Sequence, residues 1–496
     1  MEIRDKKVTV VGLGKSGIGA ANLLSEIGAE VTVTDSKTED GLKDFIARLN
    51  PSVRLALGGH PEDLFVSADM LVVSPGVPLD ILPISKAKGK RIPIIGEIEL
   101  AYQIMRNPTL NQVQGEIRNS KFLAITGTNG KSTTTTLLNL ILRKGGFRTI
   151  IGGNIGSALT EEILKLVKSQ ESIVSSQKTL DSPASLRKAG QARPSTLDYI
   201  VAEVSSFQLE SIRDFRPKVA AILNVTPDHL DRYHSLEEYI DAKARIFENQ
   251  REDDFLVLNA DDPATMEVES EKLKVKNERP RVLYFSRKQE IEGVYCKNGM
   301  IHCNLPFALC TVPLMSADEI KIKGVHNLEN AMAASAIALL ADCPLDAVID
   351  SLREFHGLEH RLEFVREING VRYFNDSKGT NVGAVTKSLE SFTEPIILIA
   401  GGRDKSGDFS PLRDLVKEKV KALVFIGEAG EKIKRSLGDL TETVMAKDLK
   451  ESVNISRNMA VKGDVILLSP ACASFDMFLD FEDRGKQFKK IVMEMT

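Results

Sequence analysis

Short runs of apolar, mostly β-branched residues alternate along the chain with longer amphipathic segments. In the first hundred residues, Lys7–Val11, Val31–Thr34 and Met70–Val73 predict strands, because such residues suit a pleated, buried surface. Residues Ser16–Ile27 carry apolar positions at helical spacing and predict a helix. Strands that alternate with helices pair in parallel through right-handed crossovers. The pattern therefore predicts an α/β fold.

The same alternation returns in two later stretches of the chain. The strands predicted there are Phe122–Thr126, Tyr199–Val204, Val219–Asn224, Phe255–Asn259, Val371–Asn375, Ile396–Ala400, Ala422–Ile426 and Val465–Leu468. Helices are predicted up to Leu142, over Leu236–Glu248 and over the alanine-rich Glu329–Ala341. A chain of 496 residues also corresponds to about three domains of ordinary size. We therefore predict domains at residues 1–100, 101–357 and 358–496.

Residues 168–197 break this pattern. They contain seven serines, no aromatic residue and few apolar residues, so they can bury little surface. We interpret them as a mobile surface insertion in the second domain, and a regulatory or partner-binding loop is the alternative.

Composition and charge narrow the classes of protein. Lys and Arg number 65 against 69 Asp and Glu, a net charge of −4, which argues against a nucleic-acid partner. The chain has no apolar run long enough to span a membrane, and its first residues lack the apolar core of a secretory signal. The five cysteines, none in a C-x-x-C pair, are Cys296, Cys303, Cys310, Cys343 and Cys472. We expect reduced, buried or half-buried thiols in a cytoplasmic protein.

The first glycine-rich motif, Gly12-Leu-Gly14-Lys-Ser-Gly17, lies between a predicted strand and a predicted helix. Its glycines permit a tight turn, let the backbone approach a pyrophosphate and let the helix pack closely on the strand. The amides and the dipole at the start of the helix favour a bound phosphate. Asp35 ends the second strand, where dinucleotide-binding folds read a ribose. The motif indicates a nucleotide diphosphate without saying which nucleotide, and a turn without any ligand is the alternative.

The second motif, Gly127-Thr128-Asn129-Gly130-Lys131-Ser132-Thr133, again joins a strand to a helix. Its amides would cradle phosphates, Lys131 would neutralise the β- and γ-phosphates, and the Ser132 hydroxyl would contact Mg²⁺. It departs from the strict phosphate-loop pattern, whose first glycine would fall at Ile125. A plain helix-capping loop is the alternative. Two phosphate sites suit an enzyme that uses ATP on a nucleotide-linked substrate.

The second motif resembles the ATP loop of the Mur ligase superfamily, and further similar blocks follow in the same order. They are Gly153–Gly156, Glu203–Glu210, Asn224–Tyr233, His326–Asn330, His360-Arg361, Asn375–Asn381, Gly401–Lys405, Ser469–Asp476 and Phe481–Gly485. The resemblance covers essentially the whole chain apart from the serine-rich insertion. The last blocks are similar to the branch that adds D-glutamate, whereas the other branches differ there. Folylpolyglutamate synthetases share the ATP loop but not the N-terminal block.

The resemblance implies a three-domain fold: a Rossmann-like N-terminal domain, a central P-loop ATPase-like domain and a C-terminal Rossmann-like domain. It implies an ATP-dependent ligase that adds D-glutamate to UDP-N-acetylmuramoyl-L-alanine through an acyl phosphate and a tetrahedral intermediate, giving ADP and phosphate. This reaction belongs to peptidoglycan precursor synthesis and so to cell shape and division. We expect ATP, two Mg²⁺ ions, a cytoplasmic monomer and closure of the third domain. The alternatives are another amino-acid specificity, an NAD-dependent oxidoreductase or a non-enzymatic nucleotide-binding protein.

Three residues are candidates for the metal and its surroundings. Glu203 ends a predicted strand and offers the hard oxygen that Mg²⁺ prefers, with a surface carboxylate as the alternative. The residue type of His229 suits a metal ligand and a side chain that positions the substrate by hydrogen bonding equally well. The resemblance favours contact with the metal and with the muramoyl substrate. Lys243 follows Tyr239 and Ile240 on the apolar face of a predicted helix. A buried neutral amine can add CO₂, and the resemblance implies such a carbamate as a metal ligand; a snorkelling lysine is the alternative.

The resemblance assigns the remaining residues by position. Around ATP it places Asn327, Asn330, Arg361 and Asp376, with Lys378 as a further catalytic residue. Around the UDP substrate it places Gly14, Lys15, Ser16, Asp35, Ser74, Pro75, Gly76, Asn154, Gly156, Ser205, Gln208 and His229. Around D-glutamate it places Thr380, Lys405, Ser474, Phe475 and Phe481. Asp35 would then read uracil, and Lys15 stands where many relatives carry an apolar residue. Turn or capping roles for Thr380 and Ser474, and a core role for Phe481, are the alternatives.

Overall fold

A computed structural model describes residues 3–107, 119–177, 197–229, 232–273, 278–305, 311–322, 324–404 and 407–495. The chain forms two compact units. One unit contains Met1–Met315 and Ala331–Ser351, and the other contains Ser316–Asn330 and Leu352–Thr496.

The first unit begins with a parallel sheet in the order β3-β2-β1-β4-β5. Its strands are β1 (Lys7–Val11), β2 (Glu30–Asp35), β3 (Arg54–Leu57), β4 (Met70–Val73) and β5 (Ile94–Gly96). Its helices are α1 (Lys15–Glu26), α2 (Lys43–Ile46), α3 (Glu62–Val66), α4 (Leu82–Gly89) and α5 (Glu97–Arg106). The central strands β1 and β4 are almost wholly buried because helices cover both faces of a parallel sheet.

A second sheet has the order β14-β13-β12-β11-β10-β9-β6-β8-β7. Its strands are β6 (Lys121–Thr126), β7 (Thr149–Gly153), β8 (Tyr199–Glu203), β9 (Val219–Ile222), β10 (Phe255–Asn259), β11 (Arg281–Ser286), β12 (Gly293–Lys297), β13 (Met300–Asn304) and β14 (Val312–Ser316). The strands from β7 to β12 are parallel, and β13 pairs with β12 in the antiparallel sense. The helices that follow in the chain are α6 (Lys131–Lys144), α7 (Leu159–Gln177), α8 (Ser206–Leu209), α9 (Leu236–Ala244), α10 (Pro263–Glu267), α11 (Val325–Leu340) and α12 (Leu345–Glu354).

The second unit contains a sheet in the order β15-β16-β20-β17-β18-β19, parallel except for β15. Its strands are β15 (Glu363–Ile368), β16 (Val371–Asn375), β17 (Ile396–Gly401), β18 (Val420–Ile426), β19 (Glu442–Met445) and β20 (Val465–Leu468). Its helices are α13 (Val382–Glu390), α14 (Arg413–Lys419), α15 (Gly430–Leu437), α16 (Leu449–Met459) and α17 (Phe481–Met493). Apolar side chains on the two faces of this sheet form two separate cores.

The two sheets of the first unit share one apolar core, which includes residues of α1, α5 and α7. The start of α7 packs closely on α1, since a Cβ at Gly19 would lie 2.6 Å from Thr160 Oγ1. Glu97, at the start of α5, accepts hydrogen bonds from the Thr160 amide at 2.7 Å and from its hydroxyl at 2.9 Å. The N-terminal sheet is thus fixed to the second sheet through buried contacts.

The α/β fold is confirmed. Each predicted strand matches an observed strand, and the bounds of the two differ by at most two residues at either end. The observed strands that the pattern did not predict are β3, β5, β7, β11 to β15 and β19. The helix predicted to Glu248 ends as α-helix at Ala244 and continues as a 3₁₀ turn, Arg245–Phe247. The domain boundaries remain a prediction.

The serine-rich segment begins as helix instead of loop. Helix α7 extends to Gln177, and Lys168 forms an ion pair of 3.1 Å with Glu26 of α1. Serine is only moderately unfavourable within a helix, so the helix that begins at Leu159 can continue into the serine-rich segment. The rest of the predicted insertion, residues 178–196, lies outside the described residues.

Two further expectations concern thiols and membranes. Cys303, Cys343 and Cys472 are buried and Cys296 is half-buried, as predicted, whereas Cys310 lies outside the described residues. Among the described helices, none combines the length and the apolar character that crossing a lipid bilayer requires.

Candidate active site

The glycine loop between β6 and α6 is fixed by the segment that follows β9. The Thr128 amide donates to the Asn224 carbonyl at 2.9 Å, and the Asn129 amide donates to Asn224 Oδ1 at 2.8 Å. Asn224 Nδ2 donates in return to the Asn129 carbonyl at 3.1 Å. Gly130 enters α6 with φ of +84°, a left-handed conformation that favours glycine. The loop is therefore ordered at the start of a helix, where phosphates bind. Sequence reasoning gave Asn224 no role, because its contacts are 95 residues away in the chain.

Two lysines converge on the Gly127 carbonyl. Lys131 Nζ donates to it at 2.8 Å and also to the Thr128 carbonyl at 2.9 Å. Lys243 Nζ, from α9, donates to the same Gly127 carbonyl at 3.1 Å. Lys243 is 1% exposed, so its amine is buried and does not snorkel. Two ammonium groups on one carbonyl would repel each other, so the arrangement favours one neutral amine.

Of the two lysines, Lys243 is the one whose charged form burial disfavours. Burial lowers its pKa well below the usual range, and the charge of Lys131 lowers the pKa further, against a smaller opposing effect of Asp228. Its Nζ lies 4.2 Å from the centre of the Tyr239 ring, and Thr128 donates a hydrogen bond to the Tyr239 hydroxyl at 3.4 Å. Tyr239 thus joins the glycine loop to Lys243, a contact that only the fold reveals. A neutral amine is nucleophilic, whereas an ammonium is not.

Glu203, at the carboxyl end of β8, has one oxygen without a hydrogen-bond partner in the described structure. Asn154 Nδ2 donates to Glu203 Oε1 at 2.7 Å, while Oε2 is buried and unbonded. Glu203 is 2% exposed, which removes the alternative of a surface carboxylate. It is in register with Ile125 on β6, two positions before the glycine loop begins. A buried carboxylate oxygen without a donor is suited to a cation.

The donor chemistry around Glu203 fits Mg²⁺ only in part. Within the described ranges, no group of three or more His, Cys, Asp or Glu side chains is arranged to hold a metal ion. Mg²⁺ is commonly bound by one or two carboxylates together with substrate phosphates and water. The residues present therefore fit an ion that arrives with a nucleotide better than a permanently bound one.

His229 lies in the segment after β9 and is exposed, with φ of +55°. Its ring stands 4.8 Å from the Phe207 ring and 6.3 Å from the Tyr239 ring, between centroids. The other side of Phe207 contacts Arg232, whose guanidinium carbon lies 4.5 Å from the ring centre. Ser205 and Gln208 form a capping box at α8, so both predicted substrate residues also hold local structure.

Asp35 and Ser74 form hydrogen bonds with the backbone of the first glycine motif. Asp35 accepts hydrogen bonds from the Leu13 amide at 2.7 Å and the Lys37 amide at 2.9 Å. Ser74 Oγ donates to the Gly12 carbonyl at 2.8 Å. A Cβ at Gly14 would meet nothing within 4 Å, so space is available above the turn. The predicted residues Gly14, Ser16, Asp35, Ser74 and Gly76 thus surround one turn at the start of α1, and Lys15 is exposed beside them.

In the second unit, Asp376 lies at the carboxyl end of β16 in a buried hydrogen-bond network. Ser388 Oγ donates to Asp376 Oδ2 at 2.7 Å and Ser469 Oγ donates to it at 2.6 Å. The Leu362 amide donates to Oδ1 at 3.2 Å. Burial nevertheless raises the pKa of Asp376 to about 6, because desolvation outweighs these hydrogen bonds. Sequence reasoning missed both serines, one of which is 93 residues away.

The described candidates for binding the amino acid follow β16 and β20 in the chain or begin α17. Lys378 Nζ lies 3.6 Å from the centre of the Phe481 ring, and the Ala471 amide donates to the Gly379 carbonyl at 2.8 Å. Ser474 is buried, whereas Phe475 is 62% exposed. Phe481 begins α17 and is half-buried, so it is not a core residue. Thr380 is half-buried next to Lys378, and Lys405 lies outside the described residues.

The residues predicted around adenine lie near the start of α11. Asn330 Nδ2 donates to Asn327 Oδ1 at 3.2 Å, and both side chains are buried. Arg361 is half-buried and close enough to Asp376 for its charge to oppose the rise in the pKa of that carboxyl.

An Asp376→Asn variant should be more stable than the wild type at pH 7.5, by up to about 3 kcal/mol. The raised pKa means that the folded state keeps this proton to higher pH than the unfolded chain does. Deprotonation therefore costs stability as the pH rises from about 4 to about 6, and the amide abolishes that cost. Urea unfolding between pH 5 and 8 measures the difference, which should shrink toward low pH.

Asp464→Asn is the control for this prediction. Asp464 is equally buried in the same sheet but accepts a hydrogen bond from Lys421 Nζ at 2.8 Å. Removing its charge leaves Lys421 without its partner, so this variant should lose stability at pH 7.5. Equal losses in both variants would contradict the desolvation argument.

The glycine loop at Gly127–Thr133 with Lys131 and Lys243, together with the glycine turn at Gly12–Gly17, is typical of an α/β enzyme that binds nucleotide phosphates. Three sequence profiles match the chain: the MurD-like N-terminal domain of Mur ligases at residues 6–96, the Mur ligase middle domain at 125–338 and the glutamate ligase domain of Mur ligases at 360–472. The chain therefore belongs to the Mur ligase family.

Full-length relatives agree with this. A UDP-N-acetylmuramoylalanine–D-glutamate ligase from Geotalea daltonii is 46% identical over 100% of this chain and 99% of its own. The ligase of the same name from Citrifermentans bemidjiense is 44% identical over 99% of this chain and 98% of its own. Among solved structures, the MurF ligase of Thermotoga maritima in complex with ADP matches with a TM-score of 0.58, at 15% identity and 100% coverage of both chains. The UDP-N-acetylmuramate-alanine ligase of Thermotoga maritima matches with a TM-score of 0.54, at 18% identity over 98% of this chain and 99% of its own.

Proposed function

We propose that this chain is an ATP-dependent ligase that adds D-glutamate to UDP-N-acetylmuramoyl-L-alanine in peptidoglycan synthesis. The observation that carries the proposal within the structure is the convergence of Lys131 and Lys243 on the Gly127 carbonyl of a phosphate loop, beside the free oxygen of Glu203. Full-length identity of 44–46% to ligases of that specificity supports the choice of substrates. We further propose that the protein is a cytoplasmic monomer.

Each of the three predicted domains has one task in this proposal. Residues 1–100 bind the uridine diphosphate at the start of α1, where amides and an open turn suit a pyrophosphate. Residues 101–357 bind ATP at the glycine loop. Residues 358–496 bind D-glutamate through Thr380, Lys405, Ser474 and Phe481, with Asp376 and Arg361 assigned to ATP.

In the first step, the carboxylate of the muramoyl-L-alanine substrate attacks the γ-phosphorus of ATP and ADP leaves. Lys131 moves from the Gly127 and Thr128 carbonyls to the phosphate oxygens, because a charged acceptor binds an ammonium more strongly. In the second step, the amine of D-glutamate attacks the acyl phosphate, and phosphate leaves the tetrahedral intermediate as the amide forms. Loop amides and fixed cations that face the developing charge accelerate both steps.

Mg²⁺, when bound, supplies positive charge that neutralises the transferring phosphoryl group. Glu203 would hold it through Oε2, with the Ser132 hydroxyl and His229 as further candidates. Asn154 holds the other Glu203 oxygen, so it orients the carboxylate as well as lying near the UDP substrate.

We infer that Lys243 carries a carbamate. Its neutral amine adds to CO₂ and releases one proton, which converts a buried amine into an anion beside the ammonium of Lys131. The support is the burial of Lys243, its lowered pKa and the shared carbonyl. The carbamate would add a second anionic ligand for Mg²⁺ to Glu203.

An amino-acid panel tests the proposed substrates. With UDP-N-acetylmuramoyl-L-alanine and ATP, phosphate release should require D-glutamate and should not occur with L-alanine, a diamino acid or D-alanyl-D-alanine. Inactivity with D-glutamate and turnover with another amino acid would place the chain in a different branch of the family. NAD reduction without ATP hydrolysis would refute the ligase altogether.

A further inference from the structure

Arg484, in the first turn of α17, is a fully buried cation in the second unit. Its relative exposure is 0%, and it is the largest of the fully buried side chains in the described structure. Nε donates to Ser377 Oγ at 2.9 Å, and Nη2 donates to the Ser377 carbonyl at 2.9 Å. The remaining donors reach the Cys472 carbonyl at 3.3 Å and 3.4 Å and the Ala473 carbonyl at 3.5 Å. Every one of these acceptors is neutral.

No carboxylate of the described residues forms an ion pair with this guanidinium. The nearby carboxylates of Asp376 and Asp476 act on it only through space. Asp376 accepts from two serines, and Asp476 Oδ2 accepts from the Glu428 amide at 3.1 Å. Burial lowers the pKa of Arg484 to about 10, so the side chain is still charged at neutral pH. A buried charge that has carboxylates nearby but forms no direct ion pair is costly, so we expect it to have a functional role.

The groups that bind Arg484 belong to the loops assigned to the amino acid. Ser377 stands between Asp376 and Lys378 in the loop after β16, and its hydroxyl donates to the Phe481 carbonyl at 2.8 Å. Cys472 and Ala473 precede Ser474 in the loop after β20. One guanidinium therefore fixes the two loops and the start of α17 relative to each other.

We propose that Arg484 is a positioning residue for the dicarboxylic amino acid: its hydrogen bonds join the loops that bind the substrate, and its positive charge is bonded directly only to neutral groups of those loops. This charge attracts the negatively charged amino acid when it binds. The inference rests on the proposed function and adds a specificity-determining group that touches no substrate. A buried charge acts over several ångströms because little water screens it.

Arg484→Met and Arg484→Lys test the inference, with Arg372→Met as the control. Methionine keeps an unbranched, apolar stem and removes the charge, so KM for D-glutamate should rise about tenfold or more. KM for ATP and for the UDP substrate should stay within about twofold of the wild type. Arg484→Lys keeps the charge but not the fork of donors, so its KM for D-glutamate should stay near the wild-type value while kcat falls. Arg372 is paired with Glu394 at 2.5 Å, so its loss should leave all three KM values unchanged.

A general rise in all three KM values, or equal impairment of the lysine and methionine variants, would show a merely structural role and overturn the inference. An unchanged KM for D-glutamate in a folded Arg484→Met protein would also overturn it. If that variant does not fold, Arg484→Gln removes the charge and still donates to one carbonyl. Failure of the proposed function is distinct, because the wild type itself would then not turn over D-glutamate.

Discussion

The Lys243→Ala variant should lose about a hundredfold to a thousandfold in kcat, and added formate or acetate should restore part of it. The alanine leaves a small cavity beside the Gly127 carbonyl and Lys131, where a short carboxylate can take the place of the proposed carbamate. Steady-state phosphate release with increasing acid concentration measures the rescue. The rescue should saturate, since it reflects binding in one cavity.

Lys131→Ala is the matched control for this rescue. Both lysines donate to the same carbonyl, but in the proposal only Lys243 acts as an anion. Short carboxylic acids should therefore restore nothing to Lys131→Ala, whereas a small amine is its logical substitute. Full activity of Lys243→Ala without any added acid would refute the carbamate.

Glu203→Gln should lose about a hundredfold to a thousandfold in kcat, since it removes the charge of the proposed metal ligand while keeping shape and burial. The amide can still accept from Asn154, so the local structure should persist. ADP binding measured by calorimetry should be strengthened by Mg²⁺ in the wild type and much less in the variant. This readout is independent of turnover.

Glu97→Gln provides a control of the same chemistry in the same unit. Glu97 is also buried, and its Oε2 also has no partner in the described structure. Its other oxygen binds Thr160 at the start of α7 instead of lying beside the glycine loop. Its kcat should stay within about threefold of the wild type. Equal losses of activity in the two variants would contradict the role of Glu203.

Much of the fold was predictable because the buried strands leave a clear local pattern. β4 and β20 are apolar at every position and β1 at three of its five, since helices cover both faces of their sheets. The unpredicted β3 lies at a sheet edge, is exposed or half-buried along its length and has no β-branched residue among its four, so the local pattern marks it weakly. The start of the serine-rich segment also belongs to α7, which its polar composition did not indicate.

The sequence indicated which residues could form the candidate site, but not which residues they would contact. The glycine turns were visible because phosphate binding needs glycines and a helix start within a few neighbouring positions. The partners of Glu203, Asp376 and Asn129 are 49, 93 and 95 residues away in sequence. Such contacts depend on strand order, which local pattern does not encode.

The sequence by itself determined the α/β class, the two glycine turns at helix starts and the family, because these depend on local spacing and on collinear motifs. The tertiary structure decided the surroundings of two basic side chains. Lys243 is consistent with either an exposed or a buried side chain until β6 and α9 bring it to the Gly127 carbonyl, near Lys131. Arg484 likewise becomes buried only when two distant loops close around it. In both cases burial lowers the pKa of the basic group, and the extent of burial depends on the packing of segments far apart in the chain.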